Sequence, residues 1–126
     1  MDLLRHHSTE FLSVRSINAE GIQIGEDCYQ QSLLLTDSKI TLLPQIHSLA
    51  DICNELIESA LADGPDVVLI GTGATLLRPS RNQYLDWLNA QVGIETMDTR
   101  AASRTFNILM SEDRPVAAIL IPITSH

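Results

Sequence analysis

An apolar strand that runs straight into two closely spaced glycines sets the terms for this chain. Asp66 is followed by Val67-Val68-Leu69-Ile70, then by Gly71-Thr72-Gly73 and Ala74-Thr75-Leu76-Leu77. An unbroken aliphatic run has no solvated face, so it reads as a strand covered on both sides, the condition of parallel sheets. Glycines just beyond such a strand let backbone approach a ligand or a neighbouring element, as α/β proteins do at their strand ends. No nucleotide motif is completed, however. Leu76 stands where a dinucleotide fingerprint has its third glycine, Pro79 delays the next helix, and no Gly-Lys-Ser or Gly-Lys-Thr follows.

The surrounding pattern fits the same class. In the first third, residues 11–17 alternate, Asn18–Gly21 and Gly25–Asp27 read as turns, and Gly21–Gly25 and Tyr29–Thr36 read as strands. Asp37-Ser38 then separates a further short strand, Ile40–Leu43, in hairpin fashion. Ser48 is a fair N-cap for one helix in which Leu49, Ile52, Cys53, Leu56, Ile57 and Ala60 recur at helical spacing, ended by Gly64-Pro65. A second helix is expected over Asn82–Gln91, capped by Ser80, with Tyr84, Leu85, Leu88 and Trp87 turned inward. Gly93–Met97 reads as a strand. Asp98 or Thr99 caps a third helix, Thr99–Leu109, with Ala102, Phe106 and Leu109 inward and Thr105 alongside, and Val116–Ile121 is the last strand. Helix, short turn and buried strand in that order favour α/β packing.

Composition limits what the chain can do. Its 126 residues are 44% hydrophobic, enough for one domain, and only 4% aromatic, so the core must be mainly aliphatic. The net charge of -8 is uneven: residues 1–77 hold eleven acids against Arg5, Arg15 and Lys39, whereas residues 78–126 balance five acids with five arginines. An acidic surface argues against nucleic-acid binding, which needs phosphate neutralisation, but leaves room for one local anion site. Cys28 and Cys53 lack metal-ligand spacing and read as reduced structural thiols. His6, His7, His47 and His126 show no zinc spacing, so neither a metal site nor a cofactor is expected. An acid at position 2 without a sustained apolar start argues against a secretory signal, and no run approaches the ~18 apolar residues of a membrane span. A cytoplasmic protein is expected, with peripheral attachment to a membrane complex left open.

Several residues carry candidate chemistry, each beside a plainer reading. The Gly71-Thr72-Gly73 turn offers backbone N–H groups that could cradle an oxyanion, or it is simply a tight turn. Arg78 and Arg81 could add charge-assisted bonds, or be solvated at a helix entrance. Glu95 and Asp98 could exchange a proton, although Asp98 suits a helix cap better. Arg100 and Arg104, one turn apart beside Ser103 and Asn107, would make a small basic cleft if their face abuts the glycine turn. Ser32, Ser80 and Ser103 lack a nucleophile elbow and an identifiable histidine base. Trp87 reads as a packing residue.

These stretches also carry a resemblance. Tyr29–Leu35, Ile70–Gly73, Arg78-Pro79, Gly93–Thr99, Ala101–Leu109 and Glu112–Ala118 resemble, in order, the family named domain of unknown function 498. That family includes archaeal proteins of the MTH938-like fold and mitochondrial relatives acting in assembly of respiratory complex I. The resemblance implies a single compact three-layer α/β domain spanning 1–126, with a central mixed sheet, flanking helices and an additional β-hairpin, residues 1–9 forming a flexible N-terminal segment. The cleft proposed for the family maps here to Gly71, Gly73, Arg78, Glu95, Asp98, Arg104 and Asn107, and the family has no established reaction. Relatives often have Cys-Arg-Thr-Tyr-Asn where this chain has Ser103-Arg104-Thr105-Phe106-Asn107, which weakens any thiolate chemistry.

The expectation is therefore an accessory or protein-interaction domain that assists assembly of a larger complex. It would recognise a protein partner or small anion through Gly71, Thr72, Gly73, Arg78, Arg81, Glu95, Asp98, Arg104 and Asn107. The alternative is an enzyme acting on a small anionic metabolite, with Arg78 and Arg104 on the anion. An exposed edge could support a dimer, but no periodic stripe demands one.

Overall fold

Turn residues divide the first third into five short strands. In the computed structural model, which describes residues 12–124, these are β1 (Val14–Asn18), β2 (Gly21–Ile24), β3 (Asp27–Tyr29), β4 (Leu33–Leu35) and β5 (Ile40–Leu42). The expected flexible segment at 1–9 lies outside the described residues. β1, β2 and β3 form an antiparallel sheet of their own, so the anticipated hairpin gains a third strand. Gly21 starts β2 at φ 136°, where a Cβ would overlap the Tyr29 carbonyl oxygen, so the position admits glycine alone. Tyr29–Thr36 is not one strand. Its ends join different sheets, because Leu33–Leu35 is apolar on both faces and needs cover on both, which a three-stranded surface sheet cannot supply.

The rest of the chain runs through a single 3₁₀ turn (Leu49–Asp51), α1 (Asn54–Leu61), β6 (Val67–Gly71), α2 (Arg81–Leu88), β7 (Gly93–Met97), α3 (Thr99–Ser111) and β8 (Val116–Leu120). The main sheet has the order β5-β4-β8-β6-β7, with β8, β6 and β7 parallel and β4 and β5 antiparallel. From β6 the chain crosses outward to β7 through α2, then returns through α3 to β8 on the far side of β6. Right-handed crossovers in opposite directions fall on opposite faces, which separates α2 from α3.

Both faces are therefore dry, and successive residues of each central strand alternate between two cores. Leu33, Leu35, Val67, Leu69, Ala118 and Leu120 meet α3 (Ala102, Phe106, Met110) and the small sheet (Val14, Ile22, Ile24). Leu34, Val68, Ile70, Ala117, Ile119 and Ile121 meet Leu49, Ile52, α1 (Ile57, Ala60) and Trp87 of α2. This is the mixed three-layer α/β architecture.

Three further local expectations need correction. The single helix from Ser48 breaks, with Ile52 and Cys53 extended between the 3₁₀ turn and α1. Asp51 turns back to accept the His47 and Ser48 N–H groups at 2.8 and 3.1 Å, and Gln83 donates to the Leu49 and Ile52 carbonyls at 2.8 and 3.1 Å, so both ends of that turn are satisfied without a continuing helix. On α3 the inward stripe is Thr99, Ala102, Ser103, Phe106 and Met110, with Leu109 only half-buried.

The third correction concerns α2. Ser80 caps it as expected, with Gln83 closing the capping box, but only Trp87 is buried. Tyr84, Leu85 and Leu88 are 55%, 44% and 61% exposed. The helix is held by the Trp87 ring, by Gln83 and by an Asn54–Asp86 hydrogen bond of 3.2 Å, and among the described residues its other apolar residues are only partly covered. Phe106→Ala should lower the unfolding free energy by about 3–5 kcal/mol in denaturant titration, while Leu88→Ala should change it by no more than about 0.5 kcal/mol.

Candidate functional site

The glycine turn ends β6 against the start of α3. At Gly71 a Cβ would stand 2.9 Å from both Cα and Oγ1 of Thr99 and 3.2 Å from the Ala102 Cβ, so the absent side chain lets the helix seat directly on the strand end. Thr99 is fully buried there. Its hydroxyl accepts the Gly73 N–H at 2.8 Å and donates to the Ile121 carbonyl at 2.6 Å, while its own N–H reaches the Gly73 carbonyl at 2.9 Å. The Thr72 N–H donates to the Met97 carbonyl at 2.8 Å, and the Thr72 hydroxyl closes the following loop by donating to Thr75 and accepting from Leu77. The crevice beyond parallel strand ends, where α/β folds take their ligands, is thus bridged by the protein itself.

Beyond this joint the loop opens into a groove of about 600 Å³ between α2 and the edge strand β7. Leu76, Pro79, Tyr84, Trp87, Leu88, Val92 and Ile94 wall it, and Arg78 is its one charged residue. The indole N–H of Trp87 is buried without a hydrogen-bond partner among the described residues. In the parallel ladder Met97 presents its carbonyl to Thr72, so Ile94 and Thr96, three residues and one residue before it, direct their backbone groups away from β6. The groove therefore adjoins a strand edge that no described residue pairs with.

A second, smaller cleft of about 170 Å³ lies across the sheet, between β1 and α3. Arg100, Ser103, Arg104 and Asn107 come from the helix and Val14–Ile17 from the strand. Asn107 clamps the strand: its side-chain oxygen accepts the Val14 N–H at 3.0 Å and its amide donates to the Val14 carbonyl at 2.8 Å. The basic helix face thus abuts the small sheet rather than the glycine turn.

The candidate residues accordingly divide. Gly71, Thr72 and Gly73 form the joint, and Asp98 caps α3 by accepting the Ala101 N–H at 2.9 Å. Arg78 lines the groove, Arg81 opens α2 on the surface, and Glu95 is exposed on β7 opposite Leu69. Arg104 and Asn107 line the small cleft. The two cavities have no lining residue in common, so Arg78 and Arg104 do not converge. Sequence reasoning overlooked the Leu76, Tyr84 and Leu88 wall, because apolar residues at helical spacing read as core. It also overlooked Arg15, which no local pattern ties to α3. Among the described residues no cluster of histidine, cysteine and carboxylate side chains could hold a metal ion, and no helix is long and apolar enough to cross a membrane.

A mixed five-stranded sheet with helices on both faces and a small antiparallel sheet beside α3 defines a three-layer α/β domain of the Mth938-like kind. The chain belongs to the family described as protein of unknown function DUF498/DUF598, which it matches over residues 14–121. Its fold is similar to a Bordetella pertussis protein described as an Mth938-like domain, with a TM-score of 0.76 and 26% identity, covering 90% of this chain and 87% of that one. It is 30% identical over 121 residues to the Xenopus tropicalis NADH dehydrogenase [ubiquinone] 1 alpha subcomplex assembly factor 3, covering 94% of this chain but 66% of the relative. It is 29% identical over 101 residues to the 13 kDa major membrane protein of Francisella tularensis subsp. holarctica (strain LVS), covering 79% and 80% of the two chains.

The joint should be costly to disturb. Gly71→Ala forces a methyl into the Thr99 backbone and should remove about 1–3 kcal/mol of stability, while Thr99→Val leaves the Gly73 N–H and Ile121 carbonyl unpaired and should remove about 2–3 kcal/mol. Chemical denaturation of each variant checks both.

Proposed function

We propose that this is a non-enzymatic accessory domain whose α2–β7 groove docks an extended apolar segment of a partner protein, with Arg78 receiving a carboxylate of that segment. The observation carrying this reading is the exposed groove wall of Leu76, Tyr84 and Leu88 on an otherwise acidic protein. Apolar side chains gathered at one place, rather than scattered, mark interaction surfaces. The adjoining β7 edge suits a partner that adds a strand, since its backbone groups, unpaired among the described residues, supply main-chain hydrogen bonds while the groove takes alternate side chains. A single cation in an apolar groove selects one carboxylate on an otherwise apolar segment.

Assistance in assembling a larger complex, as the name of the Xenopus tropicalis relative describes for that protein, is one use of such a groove. The domain would then act in the cytoplasm, attached at most peripherally to a membrane complex. A second copy of this chain is the competing occupant. The enzyme alternative has less support, because its simplest form needs Arg78 and Arg104 on one anion.

Affinity co-purification with quantitative mass spectrometry, from the native organism at near-endogenous expression, tests the reading with three folded baits. A partner retained by wild type and Arg104→Ala but depleted at least about tenfold by Leu88→Asp is the expected result. A partner lost with Arg104→Ala and kept by Leu88→Asp would overturn it. Sedimentation showing a dimer that Leu88→Asp dissociates would assign the groove to a second copy.

A further inference from the structure

The geometry points to a separate ligand site: we propose that the cleft between β1 and α3 binds a phosphate group through Arg15, Arg100, Arg104 and the Ser103 hydroxyl. This site shares no residue with the α2–β7 groove, so either assignment can fail alone.

Four observations converge on it. First, the cleft gathers three of the chain's eight cationic side chains, on a protein of net charge -8. Arg100 and Arg104 are one helical turn apart, where like charges repel. Among the described residues none of the three is paired with a carboxylate, whereas Arg114 meets Asp66 at 3.9 Å elsewhere on the surface. Second, Ser103 is 4% exposed and its hydroxyl oxygen is buried without a hydrogen-bond partner among the described residues. Such a group carries a desolvation cost unless something else completes it.

Third, Arg15 reaches the cleft because β1 is irregular at that residue. Val14 pairs with Ile24 and Ser16 with Gln23, so Arg15 is an extra residue in the ladder. A bulge of this kind re-aims a side chain and often lies beside a functional site. Its guanidinium makes one long contact, 3.4 Å to the Gly25 carbonyl, which leaves most of its donors available. Fourth, the Asn107 clamp on Val14 fixes the backbone of the two walls, so only side chains, the buried Ser103 hydroxyl among them, need turn to meet a ligand.

The chemistry selects the ligand class. A carboxylate offers two oxygens and one charge, which a single guanidinium satisfies in bidentate fashion. Three guanidiniums and a hydroxyl suit a doubly charged tetrahedral oxyanion with more acceptor positions. The volume of about 170 Å³ holds roughly six waters, room for such a group and not for a large body attached to it. The attached remainder would extend into solvent. A soluble phosphorylated molecule and a lipid phosphate headgroup both present this chemistry.

Titration of the ¹⁵N-labelled protein with inorganic phosphate at pH 8, followed by amide chemical shifts, tests the site. The expected result is saturable shifts confined to residues 14–17 and 100–107, absent with chloride at equal ionic strength. Arg104→Gln should weaken binding about tenfold and Ser103→Ala several-fold, each variant unfolding at or above the wild-type midpoint. A parallel arm uses phosphatidylcholine vesicles with and without phosphatidic acid. Sedimentation only with phosphatidic acid, lost in Arg104→Gln, assigns a lipid headgroup. Saturable phosphate binding without vesicle binding assigns a soluble phosphorylated ligand. Non-saturating shifts, equal shifts with chloride, binding unaffected by Arg104→Gln, or no response in either arm would overturn the proposal.

Discussion

The seating of Thr99 on Gly71 governs much of this structure. One buried hydroxyl ties the loop after β6 to the chain leaving β8, while the backbone around it ties β6 to the end of β7. That contact requires a strand end without a Cβ, and Gly71 provides it. Where α3 begins is thereby set, and with it which helical residues meet the sheet. Ala102, Phe106 and Met110 fall on the core below, and Asn107 falls where it can grip β1. The small sheet is attached to the domain largely through that helix, so its position also follows from the joint.

The two faces of the sheet are completed differently. On the α3 side, helix and small sheet together cover the strands, and what remains is a narrow polar cleft at their seam. On the other side, α1 and the Trp87 ring cover the middle, but α2 turns most of its apolar residues outward. A helix anchored by one ring and one amide can stay in place without burying its whole stripe, because Gln83 satisfies two carbonyls that would otherwise be orphaned. Exposed leucines beside the outer edge of β7 and clustered arginines beside a buried hydroxyl are two different unfinished surfaces. The sheet keeps them apart.

Several elements were legible because their reasons are local. Val67–Ile70 and Val116–Leu120 have no polar alternation, so burial on both faces follows directly, and every residue in them is buried. Ser80 and Asp98 announce helix starts by side-chain chemistry alone, and both accept the expected N–H. The failures have non-local causes. The break at Ile52-Cys53 is held partly by Gln83, 31 residues away from Ile52, and periodicity cannot register such a partner. Nothing near Ser103 in sequence marks it as a nucleophile, whereas its place in one cleft with Arg15 depends on a bulge in a strand from the opposite end of the chain.

By itself the sequence determined the class of fold: doubly buried strands, capped helices and glycine at a strand end are encoded within a few residues of one another. It also determined that no complete nucleotide motif follows the strand. Tertiary structure alone decided which glycine amides are already engaged, which apolar helix residues stay in solvent, and which arginines share a cleft. The physical reason is that backbone propensity and hydrophobic period act over one or two turns. A helix's unburied face and a cleft's charge are instead set by what the rest of the fold brings, or fails to bring, against them.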